Sequence, residues 1–133
     1  YRRQGTNVIA AFQLDMTMFP GTSRKLTFIS DNVSRNLTTF TERLTDAYLG
    51  VGWQESRCGY GCSDHASWNK AGYAAVFPFE APFSESNPSI HSAEDTYENG
   101  LESDFGLLFA KLGTAFAIEL GSGEALRTAP ASP

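Results

Sequence analysis

Positive charge is scarce in this sequence: ten Lys and Arg stand against fifteen Asp and Glu in 133 residues, a net charge of -5. The few cations are scattered, so there is no basic stripe for a phosphate backbone, and nucleic acid is not an expected partner. Long apolar runs are missing as well. No stretch reaches the eighteen consecutive apolar residues of a membrane-crossing helix, so no membrane span is expected. Residues 7–12 are too short, and too soon followed by Gln13 and Asp15, to form a signal-peptide core. With only two cysteines, no second pair exists to complete a structural zinc site. The chain also lacks an initiator Met and starts at Tyr1, which leads us to expect a processed chain or part of a longer one.

What is present is the composition of a packed globular unit, 41% apolar and 13% aromatic, with length for one core of ordinary size. Residues 8–14 are nearly all apolar and read as a strand buried on both faces, ending at Asp15. Residues 26–29 read as a second strand, after a Pro20-Gly21 turn. Leu37, Phe40, Leu44, Ala47 and Tyr48 recur at three- and four-residue spacing, predicting an amphipathic helix over 34–49. Residues 53–62 read as a glycine-rich loop, 63–68 as a short helix closed by Gly72, and 73–77 as a third strand stopped by Pro78. Residues 80–100 show no period. Phe105, Leu108, Phe109, Leu112 and Phe116 predict a long helix over 102–120. Residues 122–133 have the composition of a flexible linker or tail. Strands interleaved with helices make the fold class α/β.

Chemistry-bearing residues are few. Asp15 stands at a strand end, where open α/β sheets bind ligands. His91 lies in the long loop, with Glu94 and Asp95 near enough in sequence to orient a ligating imidazole. His65, in a helical setting, reads as the partner of a structural hydrogen bond. Cys58 and Cys62 enclose Gly59-Tyr60-Gly61 and form either a short disulfide or a pair of partly buried thiols; a bridge would mainly fix the loop and the orientation of Tyr60. Phe77, Phe79 and Phe83 read as an apolar wall exposed on one side.

Three segments then carry a resemblance: Gln13-Leu14-Asp15-Met16-Thr17; the run from Cys58-Gly59-Tyr60-Gly61-Cys62 through Ser63-Asp64-His65-Ala66-Ser67-Trp68; and Asn87-Pro88-Ser89-Ile90-His91 with Glu94-Asp95-Thr96. In order and spacing they resemble the secreted bacterial leucyl aminopeptidases of the M28 peptidase family, over residues 1–121. The resemblance implies a two-zinc exopeptidase on a mixed central sheet flanked by helices, which removes N-terminal, preferably large apolar, residues from peptides. By the same carry-over Asp15 ligates one zinc and His91 the other. The apolar substrate pocket maps onto Met16, Ile29, Cys58, Tyr60, Cys62, Phe77, Phe79, Phe83 and Ile90, with Cys58 and Cys62 disulfide-linked. Tyr60 reaches the substrate or the developing oxyanion, and Ser63 and Asp64 lie behind the metal site. A secreted or periplasmic location follows from the same likeness.

The family's remaining ligands, a His, a bridging Asp and a Glu, together with the Glu that serves as general base, precede the Leu-Asp-Met segment, and nothing upstream of Asp15 here supplies them. The expectation is therefore the C-terminal part of a catalytic domain, inactive and poorly metallated alone, with the missing part supplied in cis or by another chain. A noncatalytic peptide-binding module on the same fold is the alternative from another class.

Overall fold

The structure is a computed structural model and describes residues 1–122. Strand β1 (Ala11–Phe12) pairs in parallel with β4 (Ala75–Val76). Strand β2 (Leu26–Ile29) is the centre of a second, mixed sheet, with β3 (Trp53–Ser56) parallel on one side and β5 (Pro78–Phe79) antiparallel on the other. Only Phe77 separates β4 from β5, and its carbonyl accepts the Ile29 N–H at 2.9 Å, so one stretch of chain serves both sheets. Helix α1 (Arg35–Leu44) runs on into a π-helical turn, Thr45–Leu49; α2 (Asp64–Lys70) and α3 (Ser103–Gly121) complete the flanking helices. No helix among the described residues is long and apolar enough to cross a membrane.

Several expectations need correction. Trp53–Ser56 is a strand, not loop. Its polar Gln54, Glu55 and Ser56 hid it, because pairing with the fully buried β2 is what holds it, rather than an apolar run of its own. The third strand, Ala75–Val76, is shorter than expected and ends before Pro78, but Pro78 at once opens a new strand. Proline lacks an N–H, and β5 is an edge with β2 alone beside it among the described residues, a place where proline is tolerated. Of residues 8–14 only Ala11 and Phe12 pair, and Ile9 and Leu14 are exposed, since β1 has a single neighbour among the described residues. Residues 123–133, most of the expected tail, lie outside the described residues.

Helix α1 turns Leu37, Phe40 and Leu44 toward the core as their spacing predicts, whereas Ala47 and Tyr48 are exposed. It also buries Thr38, Thr41 and Glu42, with Thr45 beyond. Threonine fits there because each hydroxyl donates to the carbonyl four residues back: Thr38 to Ser34 at 3.1 Å, Thr41 to Leu37 at 2.8 Å and Thr45 to Thr41 at 3.1 Å. The main core joins Leu26, Phe28, Leu44 and Val76 to Phe105, Phe109, Leu112 and Phe116 of α3. Gly106 lets α3 close on the loop after β1: a Cβ there would stand 2.9 Å from Met18 Cγ.

Candidate functional site

The last ladder bond of β1 runs from Gln13 N–H to the Val76 carbonyl at 3.0 Å, after which the chain turns out through exposed Leu14 and Asp15. Met16 follows with φ 58°, a left-handed conformation that a non-glycine residue adopts at a cost of about 1–3 kcal/mol. Asp15 is held from the far side: Ser63 Oγ donates to its Oδ2 at 2.7 Å. Ser63 occupies the N-cap position of α2 yet makes no side-chain bond to its own helix. Its hydroxyl is committed to Asp15 instead, leaving the other carboxylate oxygen accessible.

The cysteine loop is fixed by β2. Asp31, just past the strand, accepts the Cys58 N–H at 3.1 Å and the Gly59 N–H at 2.8 Å, one on each carboxylate oxygen. Asn32, with φ 58°, donates from its side chain to the Tyr60 carbonyl at 3.3 Å. Cys58 and Cys62 are disulfide-bonded. Tyr60 is exposed at the rim, edge-on to Phe83 with centroids 6.0 Å apart.

Beneath this loop Ile29, Phe77 and Phe79 form a compact apolar cluster, with Met16, Val33, Cys58, Cys62 and Phe83 packed against it. Most of the residues singled out as pocket-forming thus come together around one centre, with Tyr60 at its rim and Ile90 half-buried and outside it. Phe77 and Phe79 are only 1% and 2% exposed, so they form a floor rather than the one-sided wall expected of them. Chain neighbours mislead here: the rings meet edge-on with centroids 5.3 Å apart and are capped by the disulfide loop, which comes from an earlier part of the chain.

His91 sits apart in the exposed loop, with φ 63°. Of the expected orienting partners, Asp95 accepts from the Asn87 side chain at 2.8 Å, and the Glu94 carboxylate makes no hydrogen bond among the described residues; none reaches the His91 ring there either. Asp64 opens α2, exposed, next to Ser63. His65 is fully buried against the Phe77 ring at 4.6 Å, and among the described residues neither ring nitrogen has a hydrogen-bond partner, contrary to the bonded ring expected. Burial lowers its pKa below the ordinary histidine value, against the opposing pull of Asp31, Asp15 and Asp64.

Sequence reasoning passed over two residues. Asp31 ends a strand just as Asp15 does, and that shared position was the available signal. Glu80 directly follows the Pro-Phe of β5, which reads as the start of a polar loop. It is 1% exposed, and burial raises its pKa despite three backbone N–H donors.

As metal donors, Asp15 and His91 have the right chemistry for zinc, a free carboxylate oxygen and an imidazole, but they fall short in number. Among the described residues no group of three or more His, Cys, Asp and Glu is placed to hold a metal ion, against the four-coordinate shell zinc prefers.

Residues 1–110 match peptidase family M28. The chain belongs to that family. M28 relatives include a probable leucine aminopeptidase of Arthroderma otae, 43% identical over 90% of this chain and 32% of its own length. Among solved structures, the Legionella pneumophila LapA aminopeptidase matches with TM-score 0.86 and 40% identity, covering 91% of this chain and 33% of that one. LapB of the same organism matches with TM-score 0.85 and 31% identity, over 90% and 33%. The mixed sheet with flanking helices is therefore the M28 fold, and the chain spans about a third of the length of the relatives it matches.

Proposed function

We propose that this chain is the pocket-bearing, C-terminal portion (residues 1–121) of a secreted or periplasmic zinc aminopeptidase that removes large apolar residues from peptide N-termini, and that it contributes one ligand, Asp15 and His91 respectively, to each of two zinc ions. The observation that carries this reading is the Ser63–Asp15 hydrogen bond beside the apolar cluster: a carboxylate oriented on one oxygen and free on the other, adjoining Met16 of the pocket. A disulfide in so short a loop fits an oxidising compartment.

In this reading Ser63 fixes the Asp15 carboxylate, as outer groups do for metal ligands. Met16, Phe83, Ile90 and the disulfide receive the apolar side chain of the N-terminal residue over the buried floor of Ile29, Phe77 and Phe79, and exclude water. The Tyr60 hydroxyl at the rim donates a hydrogen bond to the oxyanion that develops at the scissile carbonyl. Zinc, when bound, supplies positive charge that polarises a carbonyl and acidifies water. The general base and the remaining ligands come from outside this chain.

The test compares two preparations, the 133-residue chain and the full-length protein containing it, for zinc content and leucyl-anilide hydrolysis. Both properties are expected in the second and absent in the first. Two zinc ions with turnover in the 133-residue chain, or neither property in the full-length protein, would overturn the reading.

A further inference from the structure

The two ligand-bearing loops are far apart in sequence and share no direct hydrogen bond among the described residues, yet one buried side chain touches both. Glu80 leaves the end of β5 and points into the protein. Its Oε2 accepts the backbone N–H groups of Met18 at 3.2 Å and Phe19 at 3.0 Å, three and four residues after Asp15. Its Oε1 accepts the N–H of Asn87 at 3.0 Å, four residues before His91. Asn87 passes the contact on: its side-chain oxygen accepts the Ser89 N–H at 2.9 Å, and its Nδ2 donates to Asp95 at 2.8 Å, so the segment is gripped on both sides of His91.

From this geometry we infer that Glu80 is a positioning residue that sets the separation of Asp15 and His91 for metal binding, an inference that rests on the aminopeptidase reading above. The chemistry of the three donors requires a carboxylate. All three partners are N–H groups, so the position must offer acceptors at both of its oxygens, and a glutamine would turn an NH₂ toward at least one of them. Burying a carboxylate is costly, and an apolar residue would fill the same volume more cheaply. What it could not do is hold two separate backbone segments at once. The backbone between is committed on either side: the Glu102 N–H donates to the Met18 carbonyl at 2.7 Å, which ties the Asp15 loop to the start of α3 as well.

The experiment compares wild type, E80Q and E80A with Leu112→Ala, a core variant that removes a fully buried α3 side chain and leaves the hydrogen bonds of Glu80 in place. Amide hydrogen exchange in the 133-residue chain reads the brace itself. Met18, Phe19 and Asn87 are expected to lose protection together in E80Q and E80A, and to keep it relative to the global unfolding level in L112A. Loss confined to one loop, or equal loss in L112A, overturns the brace. In the full-length protein, zinc release into a chelator is expected to quicken roughly tenfold in E80Q and more in E80A, with kcat falling and KM changing less than about twofold, the scale seen when groups behind metal ligands are altered. L112A should release zinc at the wild-type rate despite its lower Tm. Wild-type zinc release and kcat in both Glu80 variants overturns the positioning role. A wild-type protein with neither zinc nor activity overturns the aminopeptidase reading instead, and the exchange data still decide whether Glu80 joins the two loops.

Discussion

The Asp15 loop and the His91 loop hold the two proposed ligands in opposite ways. Asp15 is bonded to Ser63 across 48 residues of sequence, its loop is caught by Glu80 and by the start of α3, and Met18 is packed on Gly106. From Ser89 to Asn99, by contrast, every hydrogen bond of the His91 loop closes within residues 87–103, and residues 91–100 are all exposed. One loop is anchored by distant elements and the other mostly by itself, with Asn87 and the Tyr97–Ser103 hydrogen bond to the start of α3 as its ties to the body of the protein. Long-range anchoring gives a ligand its place before metal arrives. A loop bonded mostly within itself leaves that placement to its few ties and to the metal.

The largest effect that tests this contrast is removal of the ligands. In the full-length protein D15N and H91N are each expected to lower kcat/KM by more than the roughly 100-fold typical of changes behind a ligand, measured on leucyl-anilide. Equal activity in either variant would remove that residue from the metal site. Next comes Ser63→Ala, expected to weaken zinc binding about tenfold by calorimetry, while Glu94→Ala, which removes a side chain without a hydrogen bond among the described residues, leaves it within about twofold. A reversal of the two would show that the His91 loop, not the Asp15 loop, has the stronger hold on its ligand.

Smaller again is the disulfide. Replacing Cys58 and Cys62 by Ser is expected to cost about 2 kcal/mol or less in urea unfolding, because the loop closed is short, and to raise KM through a loosened Tyr60 rim. The smallest effect lies away from both loops and serves as their control. Glu42 is buried on α1 with one oxygen unpartnered, and burial together with its neighbour Glu55 raises its pKa from 4.5 to about 6, against the pull of Arg35. Its protonated form suits the fold, so the stability it contributes is whole below about pH 4.5 and is lost as pH rises through about 6. E42Q should flatten that fall and be more stable above pH 6 by on the order of 1–2 kcal/mol, with zinc binding unchanged. A steeper fall in E42Q would reverse the assignment.

Where a segment's own composition decides its structure, the sequence was readable. Leu26–Ile29 is a strand at the expected bounds, α3 follows its aromatic spacing, and Gly72, with φ 86°, closes the region after α2 as its position suggested. Segments decided by their neighbours were not readable. Trp53–Ser56 is a strand because β2 is beside it, Pro78 continues because it lies at an edge, and the threonines of α1 face inward because a carbonyl one turn back accepts each hydroxyl. The same division runs through the candidate site. Cysteine, aspartate and histidine could be picked out by type, and the motif placed them in a family. Glu80 and the Asp31 clamp depend on which backbone groups arrive from elsewhere, and residue type alone does not carry that information.

Residues 75–79, which pair with β1 at one end and with β2 at the other, bear on how this protein comes apart. Neither sheet can lose this stretch without releasing the other, so strand separation on one side propagates to both. The two sheets should therefore melt as a single cooperative unit, with the pocket floor at Phe77 and Phe79 lost in the same step as the core at Val76. Local fraying is left to the outward-facing loops.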